Sequence, residues 1–296
     1  MKSITVLLLF FLLNVNNCKV IAQEKDSTNN KILKIVNTSI VSTSYLASTF
    51  RSTQHFYTKY PYSSFTTKND LGTWLNMDKA FHAFSSYQLC SFFYEGNKLT
   101  KIKDKKSLDI ALVESLVFGL TKEWADSHID IAGWSWYDIS ANLSGSFLFY
   151  GQQKLFNEQR VKMKFSYYNS NLQSYNPSVL GDSKLNYWLK DYNGQTFWLT
   201  SSLGVWGVTQ KKWAKPISIA FGYSADNMLN ELDNSKIPNN LQLNRYKQYY
   251  IGLDIDWSQI EVKRKSVKVL FYLLDKVKIP FPSIEISKSG SQIVLN

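Results

Sequence analysis

The pattern of apolar residues changes near residue 158, and this change limits the folds that the chain can adopt. Before that point, three long and largely apolar runs predict helices at 74–94, 107–126 and 135–157. We expect Gly96 to cap the C-terminal end of the first helix and Ser107 to be the N-cap of the second. After it, short segments alternate between polar and apolar residues, which is the period of a β-strand. These segments lie at 160–168, 195–203, 216–223, 249–257 and twice within 283–295, with short helices predicted at 186–192 and 266–274. The pattern predicts an α+β fold, with an N-terminal helical, bundle-like unit followed by a β-rich C-terminal part.

The chain is rich in aromatic residues. Nine Trp, 18 Tyr and 18 Phe residues make up 15% of it, and 44% of all residues are hydrophobic. This hydrophobic fraction excludes disordered, collagen-like and coiled-coil proteins. Tyr and Trp suit surfaces that are apolar on one side and wet on the other. The aromatic-rich strands therefore fit a sheet in water and also a sheet that faces a membrane.

The first 22 residues have the pattern of a secretory signal peptide. A cationic start at Lys2 precedes an apolar run at 5–13 that is too short to span a bilayer, and Ala22 ends the cleavage pattern. Cys18 raises the alternative of a lipoprotein, but the three residues before it lack the small side chains of such a signal. We expect cleavage after Ala22, which leaves Cys90 as the single cysteine. An exported chain without an internal disulfide favours a bacterial envelope protein that is held together by its core.

These patterns divide the chain into three parts. We expect a signal peptide at 1–22, a helical unit at 23–158 and a β-rich part at 159–296 that packs on it. The formal net charge is +11, and the lysines are scattered rather than arranged in a stripe. Since exported chains seldom meet nucleic acid, we expect an envelope lipid or a membrane surface as partner, and no nucleic acid. The expected location is the periplasm or the outer membrane.

Each of the three long predicted helices carries a pair of polar residues about one turn apart. These pairs are Asp78 with His82, Glu123 with Asp126, and Asp138 with Asn142. Residues three or four positions apart share one face of a helix. Burying such a pair in an apolar helix costs free energy unless each member finds a partner. We therefore expect all six side chains to form one buried cluster.

Two interpretations of this cluster stay open. In the first it is a catalytic or metal site, with His82 as a ligand beside the carboxylates or as a general base that Asp78 orients. A divalent metal ion is then the candidate cofactor. In the second it is a structural network of hydrogen bonds, with Lys79 and Lys122 as counter-ions. Di-metal sites in helical bundles normally use two Glu-x-x-His elements, which this sequence lacks, and that favours the structural interpretation.

Other candidate sites are weaker. Asp254 and Asp256 alternate on a predicted strand, a pattern that is typical of a solvated sheet edge. The sequence motifs of serine hydrolases, nucleotide-binding loops and zinc proteases are absent. The polar pairs on the helices therefore remain the best candidate site.

The polar pairs lie within a longer series of motifs. In chain order these are Trp74-Leu75-Asn76-Met77-Asp78-Lys79-Ala80-Phe81-His82, Lys122-Glu123-x-x-Asp126, Gly133-Trp134-Ser135-Trp136-x-Asp138-x-x-Ala141-Asn142-x-x-Gly145, Asn157-Glu158-Gln159-Arg160, Lys190-Asp191-Tyr192-Asn193-Gly194-Gln195-Thr196 and Gly222-Tyr223-x-Ala225-Asp226. The series resembles the YfiM-like, domain-of-unknown-function 2279 family of predicted periplasmic proteins. Phe81 departs from the family pattern, which usually has Gly beside the His. The resemblance implies an envelope location and singles out the same polar residues, and it implies no reaction.

The sequence thus predicts an exported envelope protein that is structural or lipid-associated. The alternative is a hydrolase or transferase that acts on an envelope lipid or a cell-wall substrate through the His82 cluster. A cleft that opens onto His82 favours the enzyme, whereas a closed and hydrogen-bonded cluster favours the structural role. A third hypothesis is an outer-membrane-associated binding module that uses the aromatic β-rich part, and exposed aromatic bands on the strands favour it.

Overall fold

A computed structural model describes residues 63–99, 102–235, 243–288 and 290–295. Helices occupy the N-terminal part of these residues and an antiparallel sheet occupies the C-terminal part, so the predicted α+β fold is confirmed. The predicted signal peptide at 1–22 lies outside the described residues. Among the helices that the structure describes, none combines the length and the low polarity that crossing a membrane requires.

The described chain forms two compact units. The first contains residues 63–68, 89–99 and 102–135, and the second contains the other described residues. The second unit therefore combines helical segments with the whole sheet. Each unit combines separate stretches of the chain, so the units do not test boundaries drawn along the sequence. The domain boundaries at residues 22 and 158 stay predictions.

The first two long helices have ends that differ from the predicted ones. Helix α1 (Met77–Leu99) contributes residues to both units and continues through Gly96, which the sequence predicted as its C-terminal cap. A glycine ends a helix when its backbone turns left-handed, and Gly96 does not adopt that conformation. Helix α2 (Asp104–Asp126) begins before Ser107, the predicted N-cap, and carries Asp104 in its first turn. Ser107 is buried instead and donates a hydrogen bond to the carbonyl of Ile102.

In the second unit, helix α3 (Trp136–Phe156) packs closely on the N-terminal part of α1. A β-carbon at Gly145 would lie 1.9 Å from the carbonyl oxygen of Ala83 and 3.0 Å from the backbone nitrogen of Tyr87. Only glycine permits this approach of the two backbones. Asn142 lies one turn before Gly145 on the same face of α3, so the close contact directs Asn142 toward α1.

The C-terminal part is a six-stranded antiparallel sheet in which each strand pairs with the next along the chain. Its strands are β1 (Lys162–Tyr167), β2 (Gln195–Ser202), β3 (Ile217–Asp226), β4 (Tyr246–Ile255), β5 (Pro282–Ser287) and β6 (Gly290–Leu295). Helices α4 (Pro177–Leu180) and α5 (Lys184–Lys190) connect β1 to β2, and α6 (Lys265–Leu274) lies between β4 and β5. The strands lie where the alternation predicted them, with ends shifted by up to three residues.

One face of this sheet, which we call the polar face, is buried. Its buried residues on β3 and β4 are Ser218, Ala220, Gly222, Ser224, Gln248, Tyr250 and Asp254. Small side chains on this face leave room for large ones, since a β-carbon at Gly222 would lie 2.7 Å from the ring of Trp198. The polar face of the sheet is therefore closely packed.

Ion pairs cross the polar face. Nζ of Lys164 lies 2.8 Å from Asp254 and 3.0 Å from Asp275, and Nζ of Lys162 lies 2.5 Å from both Asp256 and Asp275. Three strand spacings of about 4.8 Å separate β1 from β4, so these contacts require the sheet to curve toward its polar face. Asp254 and Asp256 are buried. The prediction that they lie on a solvated edge is wrong, because two lysines at the same spacing on β1 neutralise them.

The opposite face, which we call the apolar face, is covered by α1 only in part. Phe165 of β1 and Phe197 of β2 each lie 5.7 Å from Phe84 of α1, measured between ring centroids. Trp74 and Met77 belong to the same buried cluster, and Phe84 packs against it. The rest of the apolar face, from the end of β2 to β6, carries large hydrophobic side chains that are exposed.

The polar face contains one lysine that we expect to make stability depend on pH. Lys278 is buried, and its Nζ lies 4.4 Å from the centroid of the Trp198 ring. Burial, together with the charge of Lys164 and against that of Asp254, lowers the pKa of Lys278 from 10.5 to about 8. Between these pH values the unfolded chain binds more protons than the folded one, so the free energy of unfolding should rise as the pH increases from 8 toward 10.

Replacing this lysine isolates the effect. At pH 7, Lys278→Met should be more stable than the wild type by about 2 kcal/mol, because the cost of burying a charge disappears. By pH 9.5 roughly half of this difference should be gone, and the rest should disappear only above about pH 10.5, where the lysine is also neutral in the unfolded chain. Urea unfolding at the two pH values measures the difference. The exposed Lys288→Met is the control, with a change of less than about 0.5 kcal/mol at either pH. A pH-independent difference for Lys278→Met would contradict the prediction.

Candidate functional site

Helices α1 and α3 bring five polar side chains together in the second unit. Asp78, Lys79 and His82 lie on α1, and Asp138 and Asn142 lie on α3. Both aspartates occupy the first turn of their helices, where the unpaired backbone N–H groups and the helix dipole stabilise a carboxylate. The close backbone contact at Gly145 holds the two helices in this register.

Lys79 lies at the centre of this group. Its Nζ is 2.5 Å from Asp70, 2.8 Å from Asp78 and 2.5 Å from Asp138. Burial alone would lower the pKa of Lys79, but the charges of Asp78 and Asp138 and hydrogen bonds to Asp138 and Asp70 raise it above its ordinary value. The ammonium group therefore stays charged and holds three carboxylates in place.

The imidazole of His82 has a defined orientation. Its Nδ1 lies 3.2 Å from Oδ1 of Asn142, and the same oxygen accepts a hydrogen bond from Ser86. Because an amide oxygen only accepts, Nδ1 carries the proton, and neutral His82 presents a lone pair on Nε2. Nε2 lies 3.7 Å from Oδ1 of Asp78 and 3.6 Å from Oδ1 of Asp138.

The site is nearly closed to solvent. His82 and Asp138 are each 6% exposed and Asn142 is 8% exposed. Tyr192 donates a hydrogen bond of 3.1 Å to Oδ1 of Asp78, the more exposed of the two helical aspartates. A closed and hydrogen-bonded group of this kind is what the structural interpretation predicts.

Four of the six predicted site residues therefore come together: Asp78, His82, Asp138 and Asn142. The other two, Glu123 and Asp126, lie on α2 in the first unit. Nζ of Lys122 is 2.6 Å from Asp126 and 3.4 Å from Glu123, and both acids are buried. One cluster of all six residues stays a prediction, whereas the role of Lys79 and Lys122 as counter-ions is confirmed.

Sequence reasoning missed three members of the site. Asp70 precedes α1 and shares no helical spacing with Lys79, and Ser86 is one of many serines in the chain. Tyr192 is 114 positions away from Asp78 in the sequence. The one available signal was the motif at 190–196, which contains Tyr192 and belongs to the resemblance described above.

The geometry allows three chemical roles. Asp78, His82 and Asp138 each offer one ligand atom, and these atoms all lie within 4.8 Å of one another. Alternatively, His82 can act as a general base whose ring is oriented by Asn142, or the residues can form a purely structural network. No protein-family model, curated protein or solved structure matches the chain.

Proposed function

We propose that the chain is an exported, lipid-associated protein of the bacterial envelope, located in the periplasm or at the outer membrane. In this proposal the exposed part of the apolar face contacts membrane lipid, and the His82 cluster holds α1 and α3 in register. The single observation that carries it is the inverted sheet, whose polar face is buried while most of its apolar face is exposed. A sheet that faces water has the opposite arrangement.

The exposed part of the apolar face is large and continuous across neighbouring strands. In the described chain, its side chains are 43% to 78% exposed: Leu199, Ile219, Phe221, Tyr249, Ile251, Leu253, Ile284, Ile286, Ile293 and Leu295. The registers place Phe221 opposite Ile251, and Ile251 opposite Ile284. Contiguous apolar surfaces of this extent mark sites that contact proteins or membranes.

Aromatic residues flank this surface at both ends of the strands, and basic residues accompany them at one end. Tyr223 and Tyr249 lie opposite each other where β3 ends and β4 begins, with ring centroids 5.6 Å apart. At the other end, the loop between β2 and β3 exposes Trp206 and Trp213 beside several lysines. Tyr and Trp favour the boundary between hydrocarbon and water, and lysines favour anionic head groups.

Helix α6 adds a second amphipathic surface. No residue within it is buried, and Val269, Leu270, Leu273 and Leu274 are 36% to 50% exposed. Lysines and one arginine are exposed in and just before the helix, at positions 263–265 and 268. A helix with an exposed apolar stripe and a basic opposite side is typical of helices that lie on a membrane surface. We therefore choose lipid rather than a protein as the occupant of the apolar face.

Flotation with lipid vesicles tests this proposal. Protein that lacks residues 1–22, the predicted signal peptide, should float with neutral phosphatidylcholine vesicles. It should float more strongly when phosphatidylglycerol is included, because its basic residues still outnumber its acidic ones. The paired substitution Phe221→Thr with Ile251→Thr should weaken binding to neutral vesicles at least about tenfold, since two exposed side chains then lose apolar contact area. The bound fraction at several lipid concentrations gives this change.

The matched control replaces two exposed leucines outside the sheet, Leu155→Thr with Leu232→Thr. This variant loses a similar apolar area and should bind vesicles like the wild type. Sedimentation velocity without lipid detects the alternative occupant, a second copy of the chain. The lipid proposal would be contradicted if the protein forms a stable dimer that does not bind vesicles. It would also be contradicted if the sheet variant floats as well as the wild type.

The enzymatic alternative, a hydrolase or transferase, stays a hypothesis. The observation that favours it is the hydrogen bond from Nδ1 of His82 to Asn142, which fixes the ring as the support of a general base does. Nε2 then faces the two carboxylates. However, a base must reach the substrate proton, and His82 is 6% exposed. Burial therefore supports the structural role more strongly than the catalytic one.

A further inference from the structure

We propose that Asp78, His82 and Asp138 bind one divalent transition-metal cation such as Zn²⁺. This inference goes beyond lipid association and does not depend on it, because the three residues lie on α1 and α3 rather than on the sheet. One ligand atom of each side chain lies within 4.8 Å of the other two. An imidazole nitrogen with two carboxylate oxygens is a ligand set that zinc accepts.

The distances around His82 fit two ligands of one cation. Nε2 is 3.7 Å from Asp78 Oδ1 and 3.6 Å from Asp138 Oδ1, which is too long for a hydrogen bond. Ligand atoms that each lie about 2.1 Å from one cation are roughly 3.0–3.4 Å apart. A movement of a few tenths of an ångström would therefore bring Nε2 and each carboxylate oxygen to the spacing of two ligands on one cation.

The hydrogen bond that His82 makes through its other ring nitrogen is also typical of a metal ligand. A histidine that binds a metal through one nitrogen almost always donates the other N–H to a nearby acceptor. His82 donates from Nδ1 to Oδ1 of Asn142, and Ser86 fixes that amide with a hydrogen bond of 2.8 Å. The lone pair of Nε2 is thereby directed toward the two carboxylates before any metal binds.

Lys79 gives the proposal a specific signature. Its ammonium contacts Oδ1 of Asp138, and the same oxygen lies 3.6 Å from Nε2 of His82. A metal ion and the ammonium therefore compete for Asp138, and Asp70 offers the displaced ammonium another carboxylate at 2.5 Å.

The experiment uses the full-length protein after treatment with EDTA. Isothermal titration with ZnCl₂ should show one site, and Co²⁺ added in its place should give the visible absorption of a bound ion. His82→Gln and Asp138→Asn should each weaken zinc binding at least about 100-fold, because each removes a ligand. Lys79→Met should strengthen it about tenfold or more, because the competing cation is gone. Magnesium should bind far more weakly than zinc, since it avoids nitrogen ligands.

His128→Gln is the matched control, because His128 is a histidine of the first unit whose ring packs against Trp124. Its zinc affinity should equal that of the wild type. If His82→Gln does not fold, as judged by circular dichroism, Asp138→Asn and Lys79→Met decide the question. No zinc binding by the wild type, equal binding by the ligand variants, or no gain in Lys79→Met would overturn the proposal.

Discussion

Gly145→Ala is expected to lower the free energy of unfolding by roughly 3 kcal/mol or more. The added β-carbon would lie 1.9 Å from the carbonyl oxygen of Ala83 and 2.8 Å from its carbonyl carbon. Both atoms belong to the backbone of α1, so the clash cannot be relieved by rotating a side chain. The two helices must move apart, and this movement separates His82 from Asn142. Urea unfolding, followed by circular dichroism, measures the loss.

Gly151→Ala on the same helix is the matched control. Nothing lies within 4 Å of a β-carbon at Gly151, so alanine meets no obstacle there. Its higher helix propensity should leave the protein unchanged or more stable by up to about 1 kcal/mol. If both variants lose the same stability, the close contact between α1 and α3 is not the cause.

Lys164→Met is expected to destabilise the protein by about 3–5 kcal/mol at pH 7. Lys164 is fully buried on the polar face, within 2.8 Å of Asp254 and 3.0 Å of Asp275. Removing the lysine leaves both carboxylates buried with one cation fewer, and their desolvation is then less compensated. Urea unfolding measures the effect as a shift of the transition midpoint, provided that the free energy of unfolding falls with urea concentration at the same slope in both proteins.

The effect should shrink in acid. Burial raises the pKa of Asp275, but the charges and hydrogen bonds of Lys162 and Lys164 lower it below its ordinary value. This carboxylate therefore stabilises the wild type at neutral pH, and that stabilisation is lost as the pH falls through the lowered pKa. In Lys164→Met, Asp275 keeps only one of its two cations, so protonating it in acid removes less stability from the variant than from the wild type. The difference in free energy of unfolding between the two proteins should therefore narrow toward pH 3.

Lys247→Met is the control for Lys164→Met, because Lys247 is an exposed lysine on β4. It should change stability by less than about 0.5 kcal/mol. Adding Asp254→Asn to Lys164→Met should restore part of the loss, since one unpaired charge disappears. A Lys164→Met protein as stable as the wild type would show that the buried ion pairs do not stabilise the sheet.

Local patterns in the sequence predicted most of the elements. Alternation located the strands because side chains on a strand point to opposite faces in turn, and helical spacing placed Asp78 with His82 and Asp138 with Asn142. The helix ends were less predictable. Gly96 and Ser107 have the chemistry of caps, but the helices extend past both residues because neighbouring residues sustain or start the helical hydrogen bonds.

The candidate site was predictable only where its members share a helix. Spacing within α1 or α3 identified four of its residues, and adjacency suggested Lys79 as a counter-ion. Asp70 and Tyr192 reach Lys79 and Asp78 only through the tertiary fold, and no local period links them. The spacing of Lys162 with Lys164 and of Asp254 with Asp256 was a usable signal, because equal spacing on two strands allows opposite charges to pair.

The sequence by itself determined which residues share a face, because the periods of the helix and the strand are properties of the backbone. It could not determine which face of the sheet is buried, since an alternating strand is equally compatible with either choice. The tertiary structure decided this by curving the sheet so that Lys162 and Lys164 reach the aspartates across it. Pairing these charges offsets the cost of burying them, and the apolar side chains are left on the outside.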